Sequence, residues 1–240
     1  MPAHPLSGSR VVLVDGCRTP FLRSQTDFTD VPSYQLGAMA VAGLLHKSRL
    51  DPALIDRLIM GTVVAEPRTS NLAREVALSV GLPQSLPAHT VTAACTSSNV
   101  AIASAVEAIA AGTADIVIAG GAETLSDVPI RFSRALRKRL IASQKARGPA
   151  DYLKLLKGLG MRDLAPDMPA IAEFSTGHTM GESAERLAKR VGISRADQDA
   201  YALSSHRRAA AATERGYLQA QMVPALVPPR FTPLRLDNGI

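Results

Sequence analysis

Short runs of β-branched and aliphatic residues alternate with helical segments through the first half of this 240-residue chain. We predict strands at 11–15, 58–64, 89–94 and 114–119. Helices are predicted between them, at 33–49, 71–80 and 96–111. Strands that alternate with helices at this spacing favour an α/β fold with a mostly parallel sheet, in a βαβαβαβ order.

The predicted helix ends carry recognisable signals. Ser33 is predicted to cap the first helix, because a serine hydroxyl accepts a hydrogen bond from the first turn. Gly81 and Gly112 are predicted to end the second and third helices, since glycine adopts the left-handed conformation at little cost. Further along, Ser194 and Asp197 form a pattern that resembles a capping box, at the start of a helix running to Arg215.

Cys95 lies where the third predicted strand meets the helix 96–111. The unpaired N–H groups and positive dipole end of a helix N-terminus favour thiolate over thiol, so this cysteine is a candidate nucleophile. The alternative is a small core residue, which a lone cysteine often is. Because the helix bears one charged residue, Glu107, it is predicted to be buried. Gly120 and Gly121 follow the fourth strand, at the sheet edge where ligands bind in such folds.

Composition narrows the class of protein. The two cysteines, Cys17 and Cys95, form no disulfide framework, which favours a reducing compartment and predicts a cytoplasmic protein. No apolar run reaches the roughly 18 residues that a membrane-spanning helix needs. Residues 1–10 contain no apolar stretch of the kind found in a secretory signal.

The character of the chain changes near residue 125, which predicts an α/β core at 1–125, an inserted, mainly helical loop domain at 126–224 and a return segment at 225–240. Segment 131–162 contains ten Lys or Arg residues and one acidic residue. Three interpretations remain open: a solvated surface, contact with ligand phosphates, or docking to a partner subunit or the face of an anionic membrane. Nucleic-acid binding is not favoured, because the segment has few aromatic residues and no recognised motif.

Eight groups of residues, in order along the chain, resemble the thiolase family. They are Arg18–Phe21, Gly61–Val63, Asn71 with Ala73 and Arg74, Cys95, Ala119–Ser126, Met180–Gly181 with Ala184–Glu185, Gln198–Asp199 with Ser205–His206, and Asp237–Ile240. Further groups resemble the thiolase subunit of the trifunctional complex of fatty-acid β-oxidation and its bacterial counterparts: Pro129–Arg131, Ser133–Arg134, Arg137–Lys138, Ala165–Pro169 and Glu173–Thr176. The resemblance therefore implies the N-terminal half of a thiolase.

This resemblance implies an acyltransferase that cleaves or forms 3-ketoacyl-CoA, with medium- to long-chain substrates. Cys95 would be the nucleophile that carries the acyl thioester, and its backbone N–H would contribute to the oxyanion hole. Met180 and His178 would contact the substrate. Coenzyme A and acyl-CoA would be substrates, with no tightly bound cofactor and no metal. The remaining site residues would have structural roles near the nucleophile: Gly120, Gly121, Glu123, Asn71 and Arg74.

The family also uses a histidine in a Gly-His-Pro context and a second cysteine, which follow the Asp-Asn-Gly-Ile motif in its members. Neither occurs at such a position here, and Cys17 precedes the nucleophile, so we expect this chain alone not to turn over and to have an uncovered sheet edge. The resemblance implies a homodimer or larger oligomer and a hydratase–dehydrogenase partner subunit. Two alternatives stay open. One is an inactive fragment or assembly module. The other is a condensing enzyme similar to ketoacyl synthases, because residues 92–98 also resemble the cysteine motif of that family.

Overall fold

A computed structural model of the chain describes residues 10–167 and 169–239. Predictions that involve residues 1–9, Met168 or Ile240, including the absence of a signal segment, lie outside the described residues. The chain forms two compact units. The first contains the described residues up to Asp127 and those from Ala200 onwards, and the second is Val128–Asp199. The predicted domain boundaries at 125 and 224 stay predictions.

The described residues contain the following elements. The helices are α1 (Ser33–Ser48), α2 (Leu72–Ser79), α3 (Ser97–Ala110), α4 (Arg134–Ser143), α5 (Pro149–Leu156), α6 (Met161–Leu164), α7 (Met180–Val191) and α8 (Arg195–Glu214), with short 3₁₀ helices at Pro52–Leu54 and Gln219–Gln221. The strands are β1 (Arg57–Gly61), β2 (Ala88–Val91), β3 (Val117–Gly121), β4 (Arg131–Phe132), β5 (Pro166–Asp167), β6 (Ala225–Val227) and β7 (Thr232–Leu234). None of these helices has the length and apolar character needed to cross a membrane.

The first unit is built on a parallel sheet in the order β2-β1-β3, which confirms the predicted α/β class. Leu58 of β1 lies between Ala88 of β2 and Ile118 of β3. Because side chains alternate along a strand, Leu58 and Met60 enter a core cluster with α1 and α2, whereas Ile59 packs against α3. The sheet therefore has helices on both faces, and all three strands end at the edge where α3 begins.

Local capping explains several of the helix ends. Asn71 caps α2 by accepting a hydrogen bond from the N–H of Arg74 at 3.2 Å. The capping box before α8 is confirmed, because the Ser194 hydroxyl accepts from the Asp197 N–H at 3.2 Å and the Asp197 carboxylate accepts from the Ser194 N–H at 3.1 Å. The prediction for Ser33 is wrong: Pro32 holds the N-cap position of α1 without a side-chain hydrogen bond, and Ser33 is the first helical residue and is buried.

Two predictions about burial are also wrong. Residues 11–15 form no strand: Val12, Leu13 and Val14 are 61%, 87% and 89% exposed, because no strand among the described residues lies beside them to complete a ladder. Helix α3 is not buried all round. Its small residues, such as Ala101 and Ala105, contact the sheet, while the opposite face remains open to solvent.

The second unit contains α4 to α7 and the two-residue pairing of β4 with β5. The Arg139 guanidinium joins α4 to the end of α5 by donating to the carbonyl oxygens of Leu155 and Lys157. Arg131 and Arg137 both approach the Asp167 carboxylate, at 3.5 and 3.9 Å. Some of the arginines of segment 131–162 thus interact with acceptors within this unit.

Candidate active site

Cys95 lies in a sharp turn between β2 and α3, and its side chain is exposed. Ala94 precedes it with a φ of +48°, in the left-handed region that an alanine enters only at a cost of about 1 kcal/mol. Ser97 holds the turn: its hydroxyl accepts from the N–H of Ala93 at 2.9 Å and donates to the carbonyl of Ala94 at 2.7 Å. A strained turn fixed by a buried serine presents the thiol at the sheet edge.

The N-terminus of α3 packs directly on two glycines at the ends of β1 and β3. A Cβ at Gly61 would lie 2.5 Å from the carbonyl carbon of Ser97 and 2.6 Å from the nitrogen of Ser98. A Cβ at Gly121 would lie 2.1 Å from the Ser98 hydroxyl oxygen. At Gly120, by contrast, the nearest atom would be the Met60 sulfur at 3.9 Å. Gly61 and Gly121, rather than Gly120, therefore let the helix carrying Cys95 approach the sheet.

Several backbone donors in the turn and the first residues of α3 are unpaired. Within residues 10–167 and 169–239, the N–H groups of Cys95, Ser98 and Asn99 have no hydrogen-bond acceptor. Such groups at a helix N-terminus attract negative charge, because they carry the positive end of the helix dipole. The turn thus combines an exposed thiol with backbone donors that are available to an anion.

Glu123, two residues beyond β3, holds the loop that follows β1. Its carboxylate accepts hydrogen bonds from the N–H groups of Val63, at 2.6 Å, and Val64, at 3.3 Å, and from the hydroxyl of Thr62 at 3.3 Å. These contacts engage the carboxylate with donors of the β1 loop and give it a structural position beside Cys95.

Asn71 and Arg74 lie at the junction of α2 and β2. The Asn71 amide donates to the carbonyl of Ala88 at 2.9 Å, and its oxygen accepts from the Thr90 hydroxyl at 2.8 Å. Arg74 donates to the carbonyl of Leu86 at 3.4 Å. Both residues fix the strand that leads to Cys95.

A cavity of about 620 Å³ in the first unit has Cys95 in its wall. One side consists of the ends of β1 and β3 with the α3 N-terminus, and the other of the loop 17–22 with Phe28, Leu36 and Ala40. Phe28 and Leu36 are buried, so this second side is apolar. A cavity of this size with a polar end and an apolar body matches the general character of small-molecule sites.

An ion pair with no predicted role borders this cavity through Arg18. Arg18 and Asp237, which belong to the first and last motifs of the resemblance, form two hydrogen bonds of 2.8 and 2.9 Å. The Arg18 guanidinium holds the pKa of the Asp237 carboxyl below its usual range. Their separation of 219 positions gives no local pattern, so only the occurrence of both motifs in one chain could have indicated the pair.

Cys17, the second cysteine, lines the same cavity. Its thiol donates to the carbonyl oxygen of Ala40 at 3.2 Å. Burial raises the pKa of the Cys17 thiol, which lowers its thiolate fraction near neutral pH. Cys17 is therefore the poorer candidate for a nucleophile.

Met180 and His178 lie in the second unit. Met180 is the first residue of α7, and its side chain is 74% exposed. The carbonyl of His178 accepts a hydrogen bond from the N–H of Glu173 at 2.9 Å. Their predicted contact with substrate stays a prediction.

Three comparisons with known proteins give the same class. Residues 11–233 match the family described as thiolase, N-terminal domain. The chain is 47% identical to the mitochondrial trifunctional enzyme subunit beta of Bos taurus over 230 residues, covering 96% of this chain and 48% of that protein. It is 44% identical to the 3-ketoacyl-CoA thiolase of Yersinia pestis strain Pestoides F over 240 residues, covering 100% of this chain and 55% of that protein.

A solved structure agrees with these relatives. The crystal structure of the Bacillus anthracis acetyl-CoA acetyltransferase superposes with a TM-score of 0.73 and 25% identity, over 92% of this chain and 52% of that one. The fold and the strand–cysteine–helix turn thus define the thiolase-like class of α/β proteins. The chain belongs to the thiolase family, matching its N-terminal domain.

The lengths and locations of these relatives bear on what the sequence predicts for this chain. The chain spans about half the length of the curated relatives that it matches. The predicted cytoplasmic location is wrong, because the first of these relatives are mitochondrial proteins in several mammals. That prediction used only the scarcity of cysteine and the absence of a signal pattern, neither of which distinguishes reducing compartments from one another.

Proposed function

We propose that this chain forms the nucleophile-bearing half of a 3-ketoacyl-CoA thiolase and that Cys95 becomes acylated. The observation that carries the proposal is the exposed Cys95 thiol in the turn before α3, next to free backbone donors. The Cys95 thiolate would attack the keto carbon of a 3-ketoacyl-CoA, and the bond between C2 and C3 would break. The acetyl-CoA carbanion takes a proton and leaves, and the acyl group remains as a thioester on sulfur.

The backbone donors suit the charge that develops in this step. Attack places a negative charge on the former keto oxygen, and the N–H groups of Cys95 and its neighbours are not committed to other acceptors among the described residues. A second coenzyme A thiol would then take the acyl group, which restores the Cys95 thiol. On this proposal the transfer uses no bound cofactor, since the carbon–sulfur bond forms as the carbon–carbon bond breaks and the departing carbanion takes one proton.

The cavity beside Cys95 supports an apolar acyl chain as the group transferred. Phe28 and Leu36 supply buried apolar surface, and each methylene removed from water contributes about 0.8 kcal/mol. The trifunctional relatives, whose name indicates further subunits, support a multi-subunit assembly for this chain too. A hydratase–dehydrogenase partner and a homodimer or larger oligomer stay predictions on this basis.

The experiment that tests the proposal is intact-mass measurement with peptide mapping after incubation with a 3-ketoacyl-CoA or acetyl-CoA. We expect an acyl adduct on Cys95 that is absent in Cys95→Ala and retained in the matched control Cys17→Ala. We also expect no sustained turnover by this chain, because the histidine and second cysteine implied by the resemblance are not among its motifs.

An unmodified Cys95, combined with iodoacetamide labelling no faster than at Cys17, would contradict the proposal. That result would favour the alternative of an inactive thiolase fragment or assembly module. Sustained turnover would refute the prediction of inactivity while leaving Cys95 as the nucleophile. Acylation of Cys95 by an acyl group bound to acyl carrier protein, but not by an acyl-CoA, would instead favour the ketoacyl-synthase alternative.

A further inference from the structure

Three donors from one loop of the first unit hold the Asp237 carboxylate. The carboxylate accepts from both terminal nitrogens of Arg18, at 2.8 and 2.9 Å, and from the N–H of Phe21 at 2.7 Å. The Asp237 side chain is 7% exposed and that of Arg18 is 20% exposed. A two-pronged guanidinium–carboxylate pair fixes orientation as well as distance.

Arg18 also contacts the residues that form the wall of the cavity. Its guanidinium lies 4.5 Å from the centre of the Phe21 ring and also donates to the carbonyl of Thr19 at 3.2 Å. Residues 17–22 are one continuous stretch of the wall that faces the same cavity as Cys95. Asn238, the residue after Asp237, holds the same loop, because its side-chain oxygen accepts from the N–H of Arg23 at 2.6 Å.

The same contacts argue against a direct role in ligand binding. The guanidinium of Arg18 already donates to Asp237 and to a backbone carbonyl, and it lies against an aromatic ring. The carboxylate of Asp237 is neutralised by that guanidinium. Neither charge is left free for a phosphate or for a carboxylate of a substrate, so the pair acts on the cavity through the loop that it holds.

We infer that Arg18 and Asp237 are a positioning pair that fixes the Phe21–Leu22 wall and so sets the length of apolar chain that can reach the Cys95 thiol. That this chain is the acyl group rests on the function proposed above. The pair itself forms no bond with the substrate.

The test measures the length selectivity of Cys95 with neutral probes. All variants carry Cys17→Ala, so that Cys95 is the one thiol, and the full chain is alkylated with N-methylmaleimide and with N-hexylmaleimide, followed by peptide mapping. Asp237→Asn retains an oxygen for the Phe21 N–H but loses the charge that holds Arg18. We expect the ratio of hexyl to methyl rate constants to fall about five-fold, the effect of losing contact with one to two methylenes.

A matched control separates positioning from general loosening. Asp56 is also a carboxylate that accepts two backbone N–H groups, from Asp115 at 2.7 Å and Ile116 at 2.9 Å, but it lies at the opposite end of β1 from Cys95. Asp56→Asn should leave the hexyl-to-methyl ratio unchanged. Equal ratios in Asp237→Asn and the parent, or an equal fall in Asp56→Asn, would overturn the inference.

Two further variants test whether Asp237 acts through Arg18. Arg18→Gln should reproduce the fall, and the double variant should give no larger fall than the greater single one, because both remove the same contact. Arg18→Lys retains charge but not the fork, so it should give a smaller fall and serves if Asp237→Asn does not fold. Additive effects in the double variant would overturn the assigned route.

The two proposals fail in different ways in this experiment. Incubating separate, unalkylated samples of the same variants with a short-chain and a long-chain 3-ketoacyl-CoA reports acylation independently of alkylation. If alkylation is length-selective and depends on Asp237 but no acylation occurs, the positioning role of the pair is supported and the thiolase proposal is refuted. If Cys95 is acylated and Asp237→Asn leaves its chain-length selectivity unchanged, the thiolase proposal is supported and the positioning role of the pair is refuted.

Discussion

Replacing Gly61 by alanine puts a methyl group against the first peptide of α3. The added Cβ would lie 2.5 Å from the carbonyl carbon of Ser97, whereas ordinary contact begins at 3.4 Å, so α3 must retreat by about 0.9 Å. All three of the nearest atoms are backbone atoms of Ser97 and Ser98, and no side-chain rotation relieves them. Overpacking of this kind costs about 1–3 kcal/mol.

This cost should appear in both stability and chemistry. With a urea dependence of about 2 kcal/mol per molar for a chain of this size, the midpoint of unfolding should fall by about 0.5–1.5 M. Because Cys95 lies just before α3, the retreat displaces the thiol and its donors together. A misplacement of about 1 Å costs on the order of a hundred-fold in rate, which rapid quench and mass measurement of Cys95 acylation would detect.

Gly120→Ala is the matched control, since its Cβ would have the Met60 sulfur at 3.9 Å as its nearest neighbour. That variant should keep the free energy of unfolding within about 0.5 kcal/mol of the parent and acylate Cys95 normally. Gly121→Ala should fall between the two, because the Ser98 hydroxyl can rotate away but the Gly61 carbonyl, at 2.7 Å, cannot. Equal midpoints for Gly61→Ala and Gly120→Ala would refute this account of the site.

Two further predictions concern residues that support the site. Asn71→Ala removes both the cap on the Arg74 N–H and the donor to the Ala88 carbonyl, so it should lower the free energy of unfolding by about 1–3 kcal/mol; an unchanged urea midpoint would contradict this. Arg18 lowers the pKa of Asp237 in the folded chain, so the unfolded chain binds that proton at higher pH. The stability that the pair contributes is therefore complete above the unfolded value of about 3.9 and is lost as pH falls through the folded value. The difference in urea midpoint between the parent and Asp237→Asn should shrink on acidification from pH 7 to about pH 3, and a constant difference would be the contrary result.

The parts of the fold that local chemistry determines could be predicted from the sequence. The bounds of α2 follow from the Asn71 cap and from Gly81, whose φ of +75° ends the helix in the expected way. The β2–α3 junction at Cys95 follows from a strand-like run that gives way to an alanine-rich helical stretch ending at Gly112, and the structure has it there. These features depend on neighbours within a few residues.

The remainder depends on partners far along the chain. An apolar run at 11–15 has the pattern of a strand, but a pattern does not supply the neighbouring strand that a ladder requires. The left-handed conformation of Ala94 is imposed by Ser97 and by the packing of α3, since alanine itself disfavours it. Likewise, the outer face of α3 is exposed because the sheet covers one face only, which composition does not reveal.

The distance of 219 positions between Arg18 and Asp237 has a consequence for the order of folding. Closing so long a loop costs entropy before any contact repays it, and contacts of high sequence separation slow the approach to the native state. A bond made after the main barrier slows unfolding without accelerating folding. We therefore expect the sheet and α3 to assemble before this pair closes, so that the Cys95 thiol is exposed to solvent before the facing wall of the cavity is in place.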